Sequence, residues 1–410
     1  MKILQINKFF FLKGGAERHL FDLLELLAEK GHEVLVWSAN HPKNFSFYDK
    51  NDFAEFNDLS KKQGIIKEIK KAKRIFWNKE AKDKLEKLLI KTKPDIAHLH
   101  NIFSHLSPSI IFALKKHNIP IVMTLHDYKL FCPNYQFFSQ DKICFDCIEK
   151  KNYKSCLSKK CIKNSFFQSM AGYLEGKWQK DFLKIVDKID MFLAPSLFMK
   201  KKALMWGIPS EKIVHLPNFI NKEPQTNTYG ENKYFLYFGR LSSEKGVKFL
   251  IKAFLKISIQ LPDWKLTIVG DGPEKEKLEE LVGHNKQIEF LGHKNGKELK
   301  EIAKGAYLII TPSVWPENFP YSILEGLVLG KMVIGAKIGG IPELIKHKKT
   351  GLLFKPNNQN DLIEKIFWAV ENSIEVSKIA EAGQNQVLSK YSPEKYYNKI
   401  IKTYNEILKK

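Results

Sequence analysis

Arginine is nearly missing from this 410-residue chain: Arg18, Arg74 and Arg240 are the only three, although lysine and arginine together number 67 against 45 aspartates and glutamates, a formal charge of +22. Spread lysines displace counterions from any polyanion, but base readers lean on the arginine fork. Neither that nor an aromatic RNA-binding signature is present, so the sequence points away from nucleic acid. Also missing is any uncharged apolar run near the roughly 18 residues that span a bilayer as a helix, which excludes an integral helical membrane protein and leaves peripheral attachment open. Met1–Asn7 runs straight from an apolar stretch into polar, glycine-containing sequence, without the pattern of a signal peptide. A cytoplasmic location is therefore expected, any peripheral contact being with the inner face of the membrane. No short repeat and no long low-complexity tract interrupts the chain. Cysteine is scarce and confined, all five lying between Cys132 and Cys161.

What is present is enough apolar residue, 44% of the chain, for a large core, and a length that suits two or three domains. Apolar strands alternate with amphipathic helices almost from end to end, the α/β pattern of a parallel sheet covered on both faces. A first series of strands is expected at Lys2–Ile6, Glu33–Ser38, Ile96–Leu99, Ile119–Leu125, Met191–Ala194 and Lys212–His215, with a helix at Ala16–Lys30 stopped by Gly31. The polar, asparagine-rich segment Pro217–Lys233 reads as a linker. A second series follows at Tyr234–Phe238, Lys265–Val269, Ile288–Phe290, Tyr307–Ile310, Met332–Gly335 and Leu352–Phe354. The expected domains are thus residues 1–216 and 217–390, the first carrying a cysteine-rich insertion at 132–161 and a last helix, 391–410, packed back on it.

The chemistry-bearing residues fall where strands end and helices begin, the edge at which open parallel sheets take ligands. Gly14-Gly15-Ala16-Glu17-Arg18 opens the first helix, so backbone N–H groups and the positive helix end can face an anion; a plain turn is the alternative, since the full Gly-x-Gly-x-x-Gly fingerprint is absent. Thr124-Leu125-His126 ends a strand and offers a histidine, which is either a hydrogen-bonding group for a ligand or structural. Gly239-Arg240 to Lys245-Gly246 places two cations five residues apart, a fixed fork and a flexible point charge suited to a diphosphate; a surface ion-pair cluster with Glu244 is the bland alternative. Val269-Gly270-Asp271-Gly272-Pro273 reads as a glycine turn leading into a helix with proline near its first position. Thr311 to Gly326 is the most informative stretch: Glu317 precedes a helix and Glu325 lies more than a turn inside it, with the helix start between them suited to phosphate. Gly339-Gly340-Ile341-Pro342-Glu343 repeats the strand, turn and proline-led helix.

Taken jointly, the Gly14-Gly15-Ala16-Glu17 opening, Pro195-Ser196, the Arg240–Lys245 loop, Val269-Gly270-Asp271-Gly272, the Glu317–Glu325 pair and Gly339-Gly340-Ile341-Pro342-Glu343 resemble the retaining, nucleotide-sugar-dependent glycosyltransferases of family four. The resemblance implies a GT-B fold, two Rossmann-like parallel-sheet domains facing across a cleft, with the acceptor on the first and the donor on the second. It implies that Arg240 and Lys245 hold the donor diphosphate and that Glu325 binds the ribose hydroxyls. Glu317 and His126 would touch the transferred sugar, amides at Tyr321 and Ser322 would meet the distal phosphate, and Gly15 would approach it. The partners implied are a nucleotide-diphosphate sugar and a glycan or lipid-linked acceptor, with no cofactor required for the chemistry. Where many members carry glycine three residues after the first glutamate, this chain has Pro320, which offers no N–H. The rivals are a GT-B phosphorylase or epimerase, and a non-catalytic glycan or anionic-lipid binding protein on the same scaffold.

Two segments stand outside that pattern. Cys144-x-x-Cys147, Cys156 and Cys161 have the paired spacing of a structural zinc site, with Cys132 spare; reduced thiols and disulfides remain the alternatives. Lys67–Lys93, with 11 basic and 4 acidic residues around Ile69, Phe76, Trp77, Leu85, Leu88 and Leu89, is either a basic helix on an anionic membrane surface or a solvated helix pair with its apolar face on the core.

Overall fold

The computed structural model describes residues 1–46, 52–58, 64–221 and 232–409. Most of the expected linker, 222–231, and the side chains of Lys67 and Ile69 lie outside the described residues. The chain forms two units: Met1–Phe137, Cys144–Phe219 and Pro393–Lys410 make the first, and Phe138–Ile143 and Ile220–Ser392 the second.

The first unit is built on a six-stranded, wholly parallel sheet of β1 (Lys2–Ile6), β2 (Glu33–Trp37), β3 (Ile96–Leu99), β4 (Ile121–Thr124), β7 (Met191–Ala194) and β8 (Ile213–His215), in the order β2-β1-β3-β4-β7-β8. Two-residue strands β5 (Phe138–Ser139) and β6 (Lys142–Ile143) pair as a hairpin. Every residue of β3, β4 and β7 is buried, which is why these strands are mostly apolar rather than alternating, with His98 on β3 and Thr124 on β4 the polar exceptions. The helix Gly15–Glu29 turns Leu20, Leu23, Leu26 and Leu27 inward at helical spacing.

The second unit repeats the plan with β9 (Tyr234–Phe238), β10 (Lys265–Val269), β11 (Ile288–Gly292), β12 (Leu308–Thr311), β13 (Met332–Ala336) and β14 (Leu352–Phe354), in the order β11-β10-β9-β12-β13-β14, again all parallel. The helix Val247–Ile257 covers it with Leu250, Ile251, Phe254 and Ile257. Two parallel, helix-covered sheets establish the α/β fold. Among the described residues, no helix is long and apolar enough to cross a membrane.

Two expected boundaries move for identifiable reasons. The fourth strand begins at Ile121 rather than Ile119, because the Ile119 N–H is taken by the Leu114 carbonyl and Asn118 sits in the left-handed region at φ 55°, closing the helix Ser109–Lys116. Pro273 is not at the first position of its helix, which starts at Lys275. Gly272 before it serves a different purpose: a Cβ there would lie 2.3 Å from the Leu241 carbonyl oxygen.

The basic stretch forms helices Ile65–Phe76 and Lys79–Thr92, and the second of them buries Ala81, Leu85 and Leu89. The last helix, Pro393–Leu408, belongs to the first unit, where Thr403 is buried and Tyr396, Ile400, Tyr404 and Ile407 pack with Ile3, Leu23, Leu26 and Leu27. Its tyrosines also carry buried polar contacts, His19 Nε2 lying 2.9 Å from the Tyr396 hydroxyl and His98 Nδ1 2.7 Å from that of Tyr404. Tyr404→Phe keeps the ring and removes one partner of a buried nitrogen, and is expected to cost about 1–3 kcal/mol, read as a lower urea midpoint for the first unit.

Candidate functional site

In each unit the topology reverses between two neighbouring strands, β1 and β3 in the first, β9 and β12 in the second. Loops leaving such a pair diverge and open a crevice at the carboxyl edge. The sequence-derived candidates lie at these reversal points or one strand beyond.

In the second unit the loop after β9 carries Arg240 and Lys245, and the loop after β12 carries Glu317. Lys245 Nζ donates to Glu317 Oε1 at 2.7 Å, and the same oxygen accepts from Ser313 Oγ at 2.7 Å. The Glu317 side chain is 7% exposed and that of Lys245 27%, so the pair is held out of water while the ammonium keeps one side open; it also lies 5.2 Å from the Trp315 ring centre. Arg240 is exposed, and among the described residues its guanidinium makes no ion pair. The carbonyl of Arg240 accepts from the buried Tyr237 hydroxyl at 2.8 Å, which fixes the loop. Burial, together with the nearby Glu317 and Glu244 carboxylates, pushes the Tyr237 phenol up, keeping it a donor.

Glycines let four loops, those after β9, β10, β12 and β13, close on one another. A Cβ on Gly246 would lie 2.1 Å from the Pro312 carbonyl oxygen, and one on Gly270 1.9 Å from that of Gly239; both residues have positive φ. Gly339, at φ 59°, would place a Cβ 2.2 Å from the Glu317 carbonyl oxygen, which instead accepts from Gly340 N–H at 2.7 Å. The motif after β13 thus holds the backbone of Glu317.

The helix Tyr321–Val328 starts beside this pair. Pro320 is its N-cap and makes no side-chain capping bond, and Tyr321 and Ser322 form the first turn, whose N–H groups lie ahead of the helical ladder. Glu325, half-buried, follows one turn later. The structure therefore brings Lys245 and Glu317 into contact and sets Arg240, Tyr321, Ser322 and Glu325 on the elements that flank them.

In the first unit Gly15 opens its helix behind the N-cap Gly14, again without a side-chain cap, and is exposed. Glu17 is buried against Asn7, whose amide donates to it at 3.3 Å; burial raises its pKa against the pull of Lys8. His126 follows β4 and is half-buried. It does not stand alone. His126 Nε2 is 2.8 Å from His100 Nδ1, and His100 Nε2 is 2.8 Å from Gln5 Oε1. Beside them His98 Nε2 is 2.7 Å from Thr124 Oγ1, and the His98 and His100 rings stack with centres 4.4 Å apart. Sequence reading found only His126. The signal for the rest was His98-Leu99-His100, whose first histidine lies in β3 and whose second follows it, but the Tyr404 partner of His98 on the last helix, 306 residues away, leaves no local trace.

One atom on each of His19, His100 and His126 lies within 4.8 Å of the others, a grouping metals use. The distances fit a relay of neutral rings better. His100 uses both nitrogens in hydrogen bonds, and its 2.8 Å separation from His126 is shorter than the roughly 3.4 Å between two nitrogens bound tetrahedrally at zinc–nitrogen distances.

A second aromatic group lies by the same loop. Phe11 stacks on His41 at 4.6 Å and Phe56 on His105 at 5.2 Å, with Lys13 Nζ 4.1 Å from the Phe9 ring centre. No disulfide joins the five cysteines. Cys144 Sγ accepts from Lys159 Nζ at 3.3 Å and faces Asp146 at 3.5 Å, while Cys156 and Cys161 lie against the carbonyls of Ser169 and Ser155. Burial raises Cys132 to about 11 and holds Cys147 well above the usual thiol range.

Burial lowers His98 and His126 to about 3, and drives His19 and His100 well below 6.5, helped by their mutual proximity. Each stays neutral when folded but takes a proton near pH 6.5 when unfolded. Their contribution to stability is therefore complete above about pH 6.5 and is lost as pH falls. At pH 5 this amounts to about 2 kcal/mol for each of His98 and His126. Imidazole NMR should show no titration of these rings above pH 5, while acid unfolding takes up protons; a ring titrating near 6.5 contradicts the buried relay.

Residues 13–224, more than half of the chain, match the family described as Glycosyltransferase Family 4, and residues 218–386 match Glycosyl transferases group 1. An uncharacterized glycosyltransferase of Methanocaldococcus jannaschii is 26% identical over 408 residues, 95% of this chain and 94% of that protein. The lipopolysaccharide 1,2-N-acetylglucosaminetransferase of Salmonella typhimurium is 30% identical over 185 residues, 42% of this chain and 48% of that one. Among solved structures, HepE of Anabaena in complex with UDP and glucose has a TM-score of 0.67 at 19% identity, covering 99% of this chain and 100% of that one, a likeness of GT-B fold.

Proposed function

The chain belongs to glycosyltransferase family 4, and from that premise we propose that it transfers a sugar from a nucleoside diphosphate to a glycan or lipid-linked saccharide with retention of anomeric configuration. The observation that carries this reading is the Lys245–Glu317 pair at the reversal point of the second sheet, with exposed Arg240 on one side and the uncapped Tyr321 helix start on the other. In the proposed arrangement Arg240 and Lys245 neutralise the diphosphate, the N–H groups of Tyr321 and Ser322 receive the distal phosphate, and Glu325 accepts from the ribose hydroxyls. Glu317 accepts a hydroxyl of the sugar, and on the first unit His126 and Gly15 are assigned to the sugar and the phosphate. UDP is the favoured donor base, on the strength of the HepE complex. A saccharide on a lipid is the favoured acceptor, from the Salmonella relative.

The acceptor hydroxyl oxygen bonds to the anomeric carbon on the face that the diphosphate leaves. The carbon–oxygen bond to phosphate breaks, and the hydroxyl proton passes to the departing phosphate oxygen. The two cations and the helix start stabilise the charge that develops there. No step runs through a metal. Structural zinc at Cys144, Cys147, Cys156 and Cys161 is a separate proposal that requires Cys144 to leave Lys159. Elemental analysis near one zinc per chain would support it, and metal-free folded protein would remove it.

Thermal stabilisation by UDP, GDP, ADP and CMP tests the donor site. One nucleotide is expected to stabilise by about 2.7 kcal/mol at a hundredfold excess over its Kd, with the shift lost in Arg240→Ala and Glu325→Ala. No shift from any nucleotide with a folded protein would favour a non-catalytic glycan or lipid binder. With a donor identified, the anomeric coupling of the product decides retention.

A further inference from the structure

The helix Phe166–Lys177 and the π-turn Trp178–Phe182 that continues it are inside out. The side they bury carries Ser169, Gly172, Glu175 and Gln179, whereas Phe167 is 85% exposed, Phe182 67% and Leu174 45%. Phe167 and Leu174 are seven residues apart and share one helical face. The burial of the polar side is specified rather than incidental. Glu175 is paired with Lys129 at 2.7 Å, both side chains being largely out of water, and accepts from Gln179 at 3.1 Å. Ser169 Oγ accepts from Ile162 N–H at 3.0 Å, and a Cβ on Gly172 would lie 2.4 Å from Ile162. Rotating the helix to hide the phenylalanines would strand a buried carboxylate and force Gly172 apart from Ile162, so the apolar face is locked outward.

Its surroundings are strongly basic. Residues 150–184 contain nine lysines and two acids, Glu175 and Asp181, and Glu175 is buried in its pair. Lys163, Lys177 and Lys184 are exposed around the apolar face. Lys180 and Lys184, on either side of Phe182, also line a cavity of about 190 Å³ floored by Leu130, Tyr153, Ile185 and Trp206, with Asp187 its single acid. Large apolar side chains ringed by lysines match the acyl–headgroup boundary of a bilayer with negative headgroups, where phenyl rings enter the acyl region and ammonium groups stay with the phosphates. The basic helix Lys79–Thr92 lacks this character, because its Ala81, Leu85 and Leu89 are buried.

We propose that Phe167, Leu174 and Phe182, with the lysines around them, dock the first unit on an anionic lipid surface. The purpose given to this contact, reaching a lipid-linked acceptor, rests on the proposed function, but the contact itself is read from this face alone.

Co-sedimentation of the full chain with phosphatidylcholine vesicles, with and without phosphatidylglycerol, tests it. The protein is expected to follow the phosphatidylglycerol vesicles and not the neutral ones. Phe167→Ser with Phe182→Ser is expected to weaken binding at least about tenfold, and Lys177→Gln with Lys184→Gln about fivefold per lysine, an effect that added salt reproduces. Both variants should keep the wild-type melting temperature and nucleotide shift. Unchanged sedimentation of the phenylalanine variant, or no binding by the wild type, would overturn the proposal. So would light scattering that finds a wild-type dimer dissolved by the same substitutions, which would make a second copy the occupant. Lost nucleotide binding with vesicle binding intact would instead defeat the enzymatic reading and leave this face standing.

Discussion

Parallel pairing is the constraint from which both units follow. Strands that run the same way cannot be joined by a tight turn, so each return needs a crossover that covers a face of the sheet, and every loop leaving a strand emerges at one edge. Each sheet also contains a single reversal of strand order, and there the loops diverge. Chemistry-bearing residues in this chain are confined to that edge for this reason: Gly15 and His100 after β1 and β3, His126 after β4, Arg240 and Lys245 after β9, Glu317 after β12. The strands give their positions to the core, every residue of β3, β4 and β7 being buried, and the one relay histidine on a strand, His98 of β3, is enclosed with them.

At that edge, charge is managed in two ways. Glu317 is buried against a lysine, as is Glu175 on the helix Phe166–Lys177, because a carboxylate out of water needs a partner whose attraction offsets its lost hydration. The four histidines take the other route and stay neutral: His100 bonds His126 and Gln5, His98 stacked on it bonds Thr124 and Tyr404, and His19 bonds Tyr396. A neutral ring can either donate or accept at a given nitrogen, and which it does is set by the neighbour on its other side. His126 is therefore coupled through His100 to Gln5 on β1, and the last helix, by filling this region with two tyrosines, becomes part of the support of the first unit's edge rather than an appendage.

Much of this was legible in the sequence because it is local. A run such as Leu308–Thr311, buried throughout, announces a parallel strand by composition, and a glycine turn followed by a helix start announces the functional edge. The Lys245–Glu317 contact spans 72 residues and could be read only as two motifs at strand ends. What stayed hidden depends on distance or on inversion. The histidine relay is completed from the far end of the chain. The 166–182 helix misleads because burial is usually inferred from apolarity, and there glutamate, serine and glycine are inside while phenylalanine is out. Pro273 misled in the opposite sense: its neighbour Gly272 answers to the Leu241 backbone, not to the helix that follows.

The state of Glu317 bears on the route of transfer. A carboxylate that forms a covalent glycosyl intermediate must present an unengaged oxygen to the anomeric carbon. Glu317 has one oxygen shared by Lys245 and Ser313, both at 2.7 Å, and its backbone is clamped by Gly340. Such hydrogen bonds occupy that oxygen and resist the movement an attack would need. They also solve a second problem, since an unpaired carboxylate beside a diphosphate would repel the donor it is meant to orient. In the proposed arrangement Lys245 stands between them, so that Glu317 accepts from a sugar hydroxyl while the ammonium's remaining donors and the Arg240 fork are left for the phosphates. The arrangement suits a group that orients the sugar better than one that attacks it, and under the proposed function the work of the transition state falls to stabilising the leaving diphosphate, the charge proposed for the helix start at Tyr321.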